Sequence, residues 1–151
     1  MLTVSDGVVN GTRQDRSGPA VVEALEAAGF EVVDHQVVAD GVATVANTVR
    51  TMVTAFDGLV VTTGGTGFGP RDLTPEGTKQ IIARDAPGLA EAMRLANPKG
   101  RLSRGVAGVV GRSLVLNTPG SAEGAVECLR AVLDVIPHAL DLLGGRATEH
   151  P

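Results

Sequence analysis

Short apolar runs alternate along the chain with longer segments in which apolar residues recur every three to four positions. Continuous or alternating apolar runs predict β-strands, and the period of three to four predicts amphipathic helices. Strands are predicted at residues 1–5, 31–39, 58–63, 103–110 and 113–117. Helices are predicted to start at Ser17, Val42, Thr74, Leu89 and Ser121, with ends near residues 28, 56, 85, 96 and 144, and Pro137 is expected to kink or restart the last of them. Strands that alternate with helices predict an α/β fold.

Local signals refine this pattern. A polar loop is expected at residues 6–16, Ser17 and Thr74 are expected to cap helices, and a frayed tail is expected after Arg146. Gly111 and Arg112 separate two apolar runs and predict a hairpin, so one part of an otherwise parallel sheet should be antiparallel. No internal repeat or interdomain linker is evident, and we expect residues 1–151 to form one domain.

Composition excludes several classes of function. Apolar residues make up 43% of the chain, whereas aromatic residues make up only 2% and the net charge is −4. A chain with this charge and so few aromatic rings is not expected to bind nucleic acid or an anionic membrane. The single cysteine, Cys128, can form neither an intrachain disulfide nor, alone, a zinc site, and we expect it to be a small core or interface residue. Without an evident signal peptide or membrane span, a soluble cytoplasmic protein is expected.

The most informative segment is the loop in VVTTGGTGFGPRDLTPE, residues 60–76. It follows a buried strand and precedes a helix, which is where open α/β sheets bind ligands. Its four glycines leave backbone N–H groups unshielded, as a phosphate-binding loop requires. Pro70 stands where a Walker A motif requires lysine, and the spacing is not GxGxxG either. The sequence therefore predicts an anion site of another kind, with a merely tight turn as the alternative.

Acidic residues near this loop indicate a cation. Asp72 would repel a bound phosphate unless a cation lay between them, and Mg²⁺ commonly joins one or two carboxylates to substrate phosphates. Asp40, at the end of the second predicted strand, is the candidate partner, and Asp6 at the end of the first is another. From spacing alone, each carboxylate could instead be a helix cap. The junction at residues 117–121 adds a polar strand end to the same expected edge.

The residues that suggest these sites also resemble a known family. LTVSD at residues 2–6, DRSGP at 15–19, TTGGTGFGPRDLTPE at 62–76, LSR at 102–104 and NTPGS at 117–121 resemble motifs of the molybdopterin-binding MogA/MoaB family. The motifs occur in family order and span nearly the whole chain. The resemblance implies a three-layer α/β/α sandwich with a mostly parallel sheet. It also implies Mg²⁺-ATP-dependent adenylylation of molybdopterin to molybdopterin-AMP, in a homotrimer or hexamer that passes its product to a molybdenum insertase.

The resemblance also implies residue roles. Asp72 and Asp40 are implied as the catalytic, magnesium-binding carboxylates. The implied nucleotide-binding residues are Gly64, Gly65, Thr66, Gly67, Pro119 and Gly120, and the implied molybdopterin-binding residues are Ser103, Asn117, Ser5 and Asp6. Gly7 departs from the arginine that many relatives carry there, and the segment between Met93 and Leu102 is shortened, so no role is carried over to Asn97.

Two other functions fit the same motifs. A member of the family could bind molybdopterin or a later cofactor intermediate without catalysing transfer. A nucleotide-processing domain like that of competence-damage proteins shares the TGGxG loop. ATP- and Mg²⁺-dependent formation of molybdopterin-AMP distinguishes the first of these from a transferase.

Overall fold

A computed structural model describes residues 1–146, and the predicted tail at residues 147–151 lies outside the described part. The strands are β1 (Leu2–Val4), β2 (Gln36–Val38), β3 (Leu59–Thr63), β4 (Arg84–Asp85), β5 (Ala107–Val110) and β6 (Ser113–Thr118). The helices are α1 (Asp6–Val9), α2 (Ser17–Ala27), α3 (Val42–Met52), α4 (Thr74–Lys79), α5 (Pro87–Leu95), α6 (Ala122–Arg130) and α7 (Ile136–Leu143), with a 3₁₀ helix at Pro98–Leu102. Within residues 1–146, none of the helices has both the length and the apolar character needed to cross a membrane.

The strands form one six-stranded sheet in the order β2-β1-β3-β6-β5-β4. The pairs β2–β1, β1–β3 and β3–β6 are parallel, whereas β5 pairs antiparallel with both β6 and β4. The predicted hairpin is confirmed: β5 and β6 flank the turn at Gly111, whose φ is +61°. A mostly parallel sheet with an antiparallel part is therefore the observed topology.

Helices cover both faces of this sheet, which confirms the expected three layers. Side chains of successive strand residues point to opposite faces. Accordingly Val61 packs with α2, α5, α6 and α7, whereas Val60 packs with α3 on the other side. The two apolar clusters hold the central strands between helical layers.

Several predicted boundaries are wrong for identifiable reasons. The strand predicted at 31–39 is shorter in the structure, Gln36–Val38, because β2 lies at the edge of the sheet of the described residues and pairs there with β1, which begins at Leu2 opposite Gln36. The helix predicted to reach residue 85 ends at Lys79, because Ala83 and Ala86 donate to carbonyls of β5 and place β4 on the sheet edge. The tertiary pairing overrides the local helical period.

Shorter elements also differ from the prediction. The expected loop at 6–16 begins with helix α1, which Ser5 caps by accepting a hydrogen bond from Val8 N at 3.3 Å. Ser17 is the first residue of α2 rather than its cap, and Asp15 accepts from Gly18 N instead. Thr74 likewise begins α4 without a capping hydrogen bond. The predicted cap at Ser121 is confirmed. The helix predicted at 42–56 ends at Met52, and the strand predicted from 103 begins at Ala107.

Candidate functional site

The carboxyl ends of β1, β3 and β6 open into a cleft of about 1120 Å³. Parallel strands bring their carboxyl ends to one edge, and ligands of open α/β sheets bind there. Ten of the predicted site residues line this cleft: Ser5, Asp40, Gly64, Gly65, Thr66, Gly67, Asp72, Ser103, Pro119 and Gly120. Segments far apart in sequence thus converge on one space, as the motifs predict.

The glycine loop presents backbone N–H groups in this cleft. Gly64 and Gly65 have φ of +98° and +64°, conformations that favour glycine. A Cβ on Gly64 would lie 2.2 Å from the carbonyl oxygen of Val4, so the loop passes close against β1. The N–H groups of Gly65, Thr66 and Gly67 make no hydrogen bond to any other residue in the range 1–146. Consecutive unpaired donors of this kind form a concavity that suits an anion.

Asp72 lies directly against this loop. Its Oδ2 accepts a hydrogen bond from Gly69 N at 2.8 Å, and its own N–H donates to Gly69 O at 3.0 Å. A Cβ added to Gly67 or to Gly69 would come within 2.9 Å of the same carboxylate oxygen. The carboxylate makes no hydrogen bond with an N–H group of α4, so the structure does not show Asp72 as a helix cap.

Asp40 and Asp6 hold each other through reciprocal hydrogen bonds. Asp6 N donates to Asp40 Oδ2 at 2.8 Å, and Asp40 N donates to Asp6 Oδ1 at 3.0 Å. Arg71 completes the group: its Nε donates to Asp6 Oδ2 at 2.9 Å and its Nη2 donates to Asp40 O at 2.6 Å. Asp40 does not cap α3, whose N-cap residue is Gly41 without a side-chain hydrogen bond.

The two carboxyl groups have pKa values shifted in opposite directions. The Arg71 guanidinium lowers the pKa of Asp6. Partial burial raises the pKa of Asp40, and the negative charges of Asp6 and Asp72 raise it further. Asp40 and Asp72 are therefore close enough to interact electrostatically. A cation placed between them would relieve that repulsion.

The oxygen donors around Gly65 are of the chemical type that Mg²⁺ prefers. Thr74 Oγ1 is buried without a hydrogen-bond partner, and it lies 2.3 Å from the Cβ position of Gly65, whereas Asp40 Oδ1 lies 2.9 Å from the same position. Carboxylate and hydroxyl oxygens are the hard ligands that Mg²⁺ prefers. No group of three or more metal-ligating His, Cys, Asp or Glu side chains occurs in residues 1–146. A magnesium ion held here would therefore take its remaining ligands from phosphate and water.

Two predicted residues do not line the cleft. Asn117 is 2% exposed, and its Nδ2 donates to Thr62 Oγ1 at 2.9 Å and to Thr78 Oγ1 at 3.0 Å. Its Oδ1 accepts from Val106 N at 3.2 Å, so the whole side-chain amide is used inside the protein. Asp6 is bound to Arg71 and Asp40 and is absent from the cleft lining. Asn117 joins elements of the sheet edge, and Asp6 positions Asp40.

Three cationic residues of the cleft were missed by the sequence reasoning. Arg13, Arg16 and Lys99 line the cleft, and their side chains make no salt bridge within the described part of the chain. Arg16 lies within the DRSGP motif and could have been found there. Arg13 and Lys99 lie in segments that read only as polar loop and turn, so no signal in the sequence distinguished them. Together they supply positive charge for an anionic ligand.

His35 has a partner that the sequence did not reveal. Its Nε2 lies 3.1 Å from Thr3 Oγ1 and 3.6 Å from an oxygen of Asp15, which also accepts from Thr3 at 2.7 Å. Because Asp15 also accepts from Gly18 N, this cluster fixes the start of α2 against β1.

Comparison with known proteins identifies the family. Residues 1–138 match the family model described as a probable molybdopterin binding domain. A molybdopterin adenylyltransferase from Helicobacter pylori strain J99 is 37% identical over 96% of this chain and 86% of its own length. The crystal structure of the molybdopterin biosynthesis enzyme MoaB from Thermus thermophilus superposes with a TM-score of 0.91 at 47% identity, covering 98% of this chain and 96% of that one. The Mog protein from Mycobacterium ulcerans gives a TM-score of 0.86 at 40% identity, covering 94% and 95%.

The fold, the cleft and these matches define one class of protein. The chain belongs to the molybdopterin-binding family of molybdenum cofactor biosynthesis, as its motifs predict.

Proposed function

We propose that this chain transfers the adenylyl group of ATP to molybdopterin, forming molybdopterin-AMP and releasing pyrophosphate. One observation carries the proposal: the unpaired N–H groups of Gly65, Thr66 and Gly67 share a cleft with the carboxylates of Asp40 and Asp72. The arrangement suits a nucleotide whose phosphates contact the amides while a magnesium ion lies at the carboxylates. Relatives that bear the name molybdopterin adenylyltransferase support the same activity.

The reaction requires positioning rather than a protein nucleophile. A terminal phosphate oxygen of molybdopterin forms a bond to the α-phosphorus of ATP while the bond from that phosphorus to the bridging oxygen of pyrophosphate breaks. The attacking phosphate is already ionised near neutral pH, so no general base has to remove a proton. Asp40 and Asp72 would hold Mg²⁺, which when bound neutralises phosphate charge. The glycine-loop amides would donate to the oxygens on which charge develops.

The charge distribution of the cleft fits two anionic substrates. Its carboxylates suit a phosphate that arrives with a cation, whereas unpaired Arg13, Arg16 and Lys99 suit an anion that arrives without one. Ser103 and Ser5, both in the cleft lining, remain candidates for contacts with molybdopterin. We do not extend this role to Asn117, because its amide is fully used inside the protein.

Assembly is a second part of the proposal. Closed cyclic symmetry is the common form of soluble oligomers, and the family resemblance implies a homotrimer or a hexamer of this chain, with a molybdenum insertase as the recipient of the product. Light scattering at micromolar concentration should give a mass near three or six chains. A mass near one chain would contradict the proposal.

The direct test supplies purified protein with molybdopterin, Mg²⁺ and ATP labelled at the α-phosphate. A transferase moves the label into molybdopterin-AMP and releases one pyrophosphate for each product. Labelled product should fail to form when EDTA removes the magnesium or when ATP is replaced by a non-hydrolysable α,β-methylene analogue. Binding of molybdopterin without transfer would instead indicate a binding protein. Hydrolysis of ATP at the same rate with and without molybdopterin would indicate the nucleotide-processing alternative.

A further inference from the structure

A single arginine, Arg104, makes hydrogen bonds to the carbonyl groups of the glycine loop. Arg104 follows the 3₁₀ helix and precedes β5, and its side chain is 31% exposed. Its Nε donates to Gly67 O at 2.6 Å, its Nη2 donates to Asp72 O, and its Nη1 pairs with the carboxylate of Glu76. Its backbone N–H also donates to Thr66 O at 2.8 Å. One residue thus contacts the glycine loop, Asp72 and helix α4, yet it does not line the cleft.

These contacts determine which way the loop amides point. In a trans peptide the carbonyl oxygen of one residue and the N–H of the next point in opposite directions. Because Thr66 O and Gly67 O both accept from Arg104, the N–H groups of Gly67 and Phe68 are turned away from it. Thr66 and Gly67 line the cleft, whereas Arg104 does not. Fixing the carbonyl of Thr66 therefore orients the amide of Gly67, which belongs to the cleft lining.

The same side chain fixes Asp72. The carbonyl of Asp72 accepts a hydrogen bond from Arg104, and its carboxylate accepts one from Gly69 N at 2.8 Å. Both the backbone and the side chain of Asp72 are therefore held in place. Glu76 in turn orients the guanidinium, and this pairing lowers the pKa of Glu76. The ring of Phe68 lies with its centroid 6.0 Å from the guanidinium carbon and covers it on one side.

We propose that Arg104 is a positioning residue that presents the amide of Gly67, together with Asp72, to the nucleotide. The proposal rests on the proposed function for its effect on activity, but its structural part is independent of that function. It assigns to Arg104 no contact with substrate. Its action passes through the carbonyls of Thr66, Gly67 and Asp72.

Lysine cannot replace this arginine. The guanidinium carries five N–H donors in a planar fork and reaches two carbonyls and one carboxylate at once, whereas an ammonium group is a compact point charge on a flexible stem. Arg104→Lys therefore keeps the charge and most of the apolar stem but loses the geometry. Its failure would show that geometry matters, not only charge or packing.

The chain offers a matched control. Arg112 also bridges a carboxylate and a backbone carbonyl, since its Nε lies 3.2 Å from Asp57 Oδ2 and its Nη2 donates to Gly144 O at 3.2 Å. It lies in the turn between β5 and β6, near the amino end of β6 and away from the cleft. Arg112→Lys makes the same chemical change at a place with no proposed ligand.

Hydrogen–deuterium exchange tests the structural part without any substrate. In Arg104→Lys, peptides covering residues 69–74, in which the amides of Gly69, Asp72 and Thr74 are hydrogen-bonded, should exchange at least about tenfold faster than in the wild type, while the sheet peptides stay unchanged. Arg112→Lys should leave residues 69–74 as protected as in the wild type. Glu76→Gln, which removes the charge that orients the guanidinium, should give an intermediate increase at the same residues.

Kinetics and rescue test the functional part. For Arg104→Lys, kcat for adenylyl transfer should fall by roughly tenfold or more, with a smaller rise in the KM for ATP, because misplaced groups cost most in the transition state. Added guanidinium ion should restore part of the kcat of Arg104→Ala, and ammonium ion should not. Unchanged exchange and kcat in Arg104→Lys would overturn the proposal, and so would equally faster exchange of residues 69–74 in both lysine variants. Wild type without transfer activity but with the local exchange effect would refute the proposed function and leave the positioning role standing.

Discussion

The two ends of the central parallel strands differ in how their polar groups are used. At the amino ends, Ser113 Oγ donates to Phe56 O at 2.6 Å and accepts from Gly58 N at 3.4 Å, and Leu114 N donates to Gly58 O at 2.9 Å. The adjoining pocket of about 270 Å³ is lined mainly by apolar side chains, among them Phe30 and Phe56. The hydroxyl of Ser113 and these backbone groups are therefore paired within the protein.

The carboxyl ends are different. The amides of Gly65, Thr66 and Gly67 make no hydrogen bond within the described residues, Thr74 Oγ1 is buried without a partner, and carboxylates lie close enough to repel. Unpaired buried polar groups and close like charges cost stability. Such costs are typical of a site prepared for a ligand that supplies the missing partners. Substitutions at the amino ends of the strands should therefore change stability, and substitutions at the carboxyl ends should change binding and catalysis.

Asp72→Asn should give the largest effect on activity. The substitution keeps the size and one hydrogen-bond acceptor but removes the charge that would hold magnesium, so kcat for transfer should fall by about 10²–10³-fold or more. The free energy of unfolding should change by less than about 0.5 kcal/mol, because no buried packing is lost. Transfer kinetics and urea unfolding of the same preparation check both numbers. Asp40→Asn should behave likewise in kinetics, and the double variant should be scarcely slower than either single one.

Asp57→Asn is the control at the opposite edge. Asp57 is exposed and paired with Arg112, and its loss should leave transfer unchanged. Near-normal turnover of Asp72→Asn would refute the metal role. A strongly destabilised Asp72→Asn protein would instead indicate a structural role for this carboxylate.

Leu114→Ala should reverse the balance. Leu114 is 2% exposed near the amino end of β6 and packs into the larger apolar cluster. Its truncation should lower the free energy of unfolding by about 2–4 kcal/mol, since it removes buried apolar area and leaves a cavity. The affinity for Mg²⁺-ATP, measured by calorimetry well below the melting temperature, should change less than about threefold. A loss of affinity comparable to that of a cleft variant would mean that the two edges are not energetically separate.

Gly65→Ala and Gly111→Ala compare the two edges at equal backbone strain. Gly65 has φ +64° and Gly111 has φ +61°, so the backbone conformation alone should cost each substitution about 1–2 kcal/mol of stability, and the contact of the new Cβ adds to that cost at Gly65. Only at Gly65 would the new Cβ meet Thr74 Oγ1 and Asp40 Oδ1, whereas nothing lies within 4 Å at Gly111. Nucleotide affinity should therefore fall by roughly tenfold or more in Gly65→Ala and stay normal in Gly111→Ala. Equal affinities in the two variants would show that the loop is only a tight turn.

The sequence predicts the alternation of strands and helices and much of the cleft because both depend on local patterns. The apolar run of β3, the glycines after it and the acidic strand ends are visible without coordinates. Elements whose form depends on distant partners were missed, as β4 was, or predicted with wrong ends, as β2 was. The strand β4 exists because β5 offers it an edge, and β2 is short because β1 is short.

Side-chain roles show the same limit. Asn117 reads as a polar strand end that faces a ligand, yet Thr62 and Thr78 use its amide. Arg104 lies within the LSR motif at residues 102–104, but its hydrogen bonds to the carbonyls of Gly67 and Asp72 follow only from the fold. The sequence shows which residues reach the edge, whereas the tertiary contacts determine which of them face the cleft.

The smallest expected effect concerns two neighbouring carboxyl groups with opposite pKa shifts. The pKa of Asp40 is raised above its ordinary value of 3.8, first by burial, so the folded protein binds this proton more tightly than the unfolded chain does. The stability from Asp40 is therefore present below pH 3.8 and is lost as the pH rises through the folded pKa. The pKa of Asp6 is lowered by Arg71, so its stability is present above pH 3.8 and is lost as the pH falls. At pH 7, Asp40→Asn should slightly stabilise the protein and Asp6→Asn should slightly destabilise it, and both differences should shrink as the pH approaches 3.8. Urea unfolding of the three proteins across this range measures the signs. If both variants shift stability in the same direction at pH 7, Asp40 is not held at an electrostatic cost. The electrostatic argument for a cation between Asp40 and Asp72 would then fail.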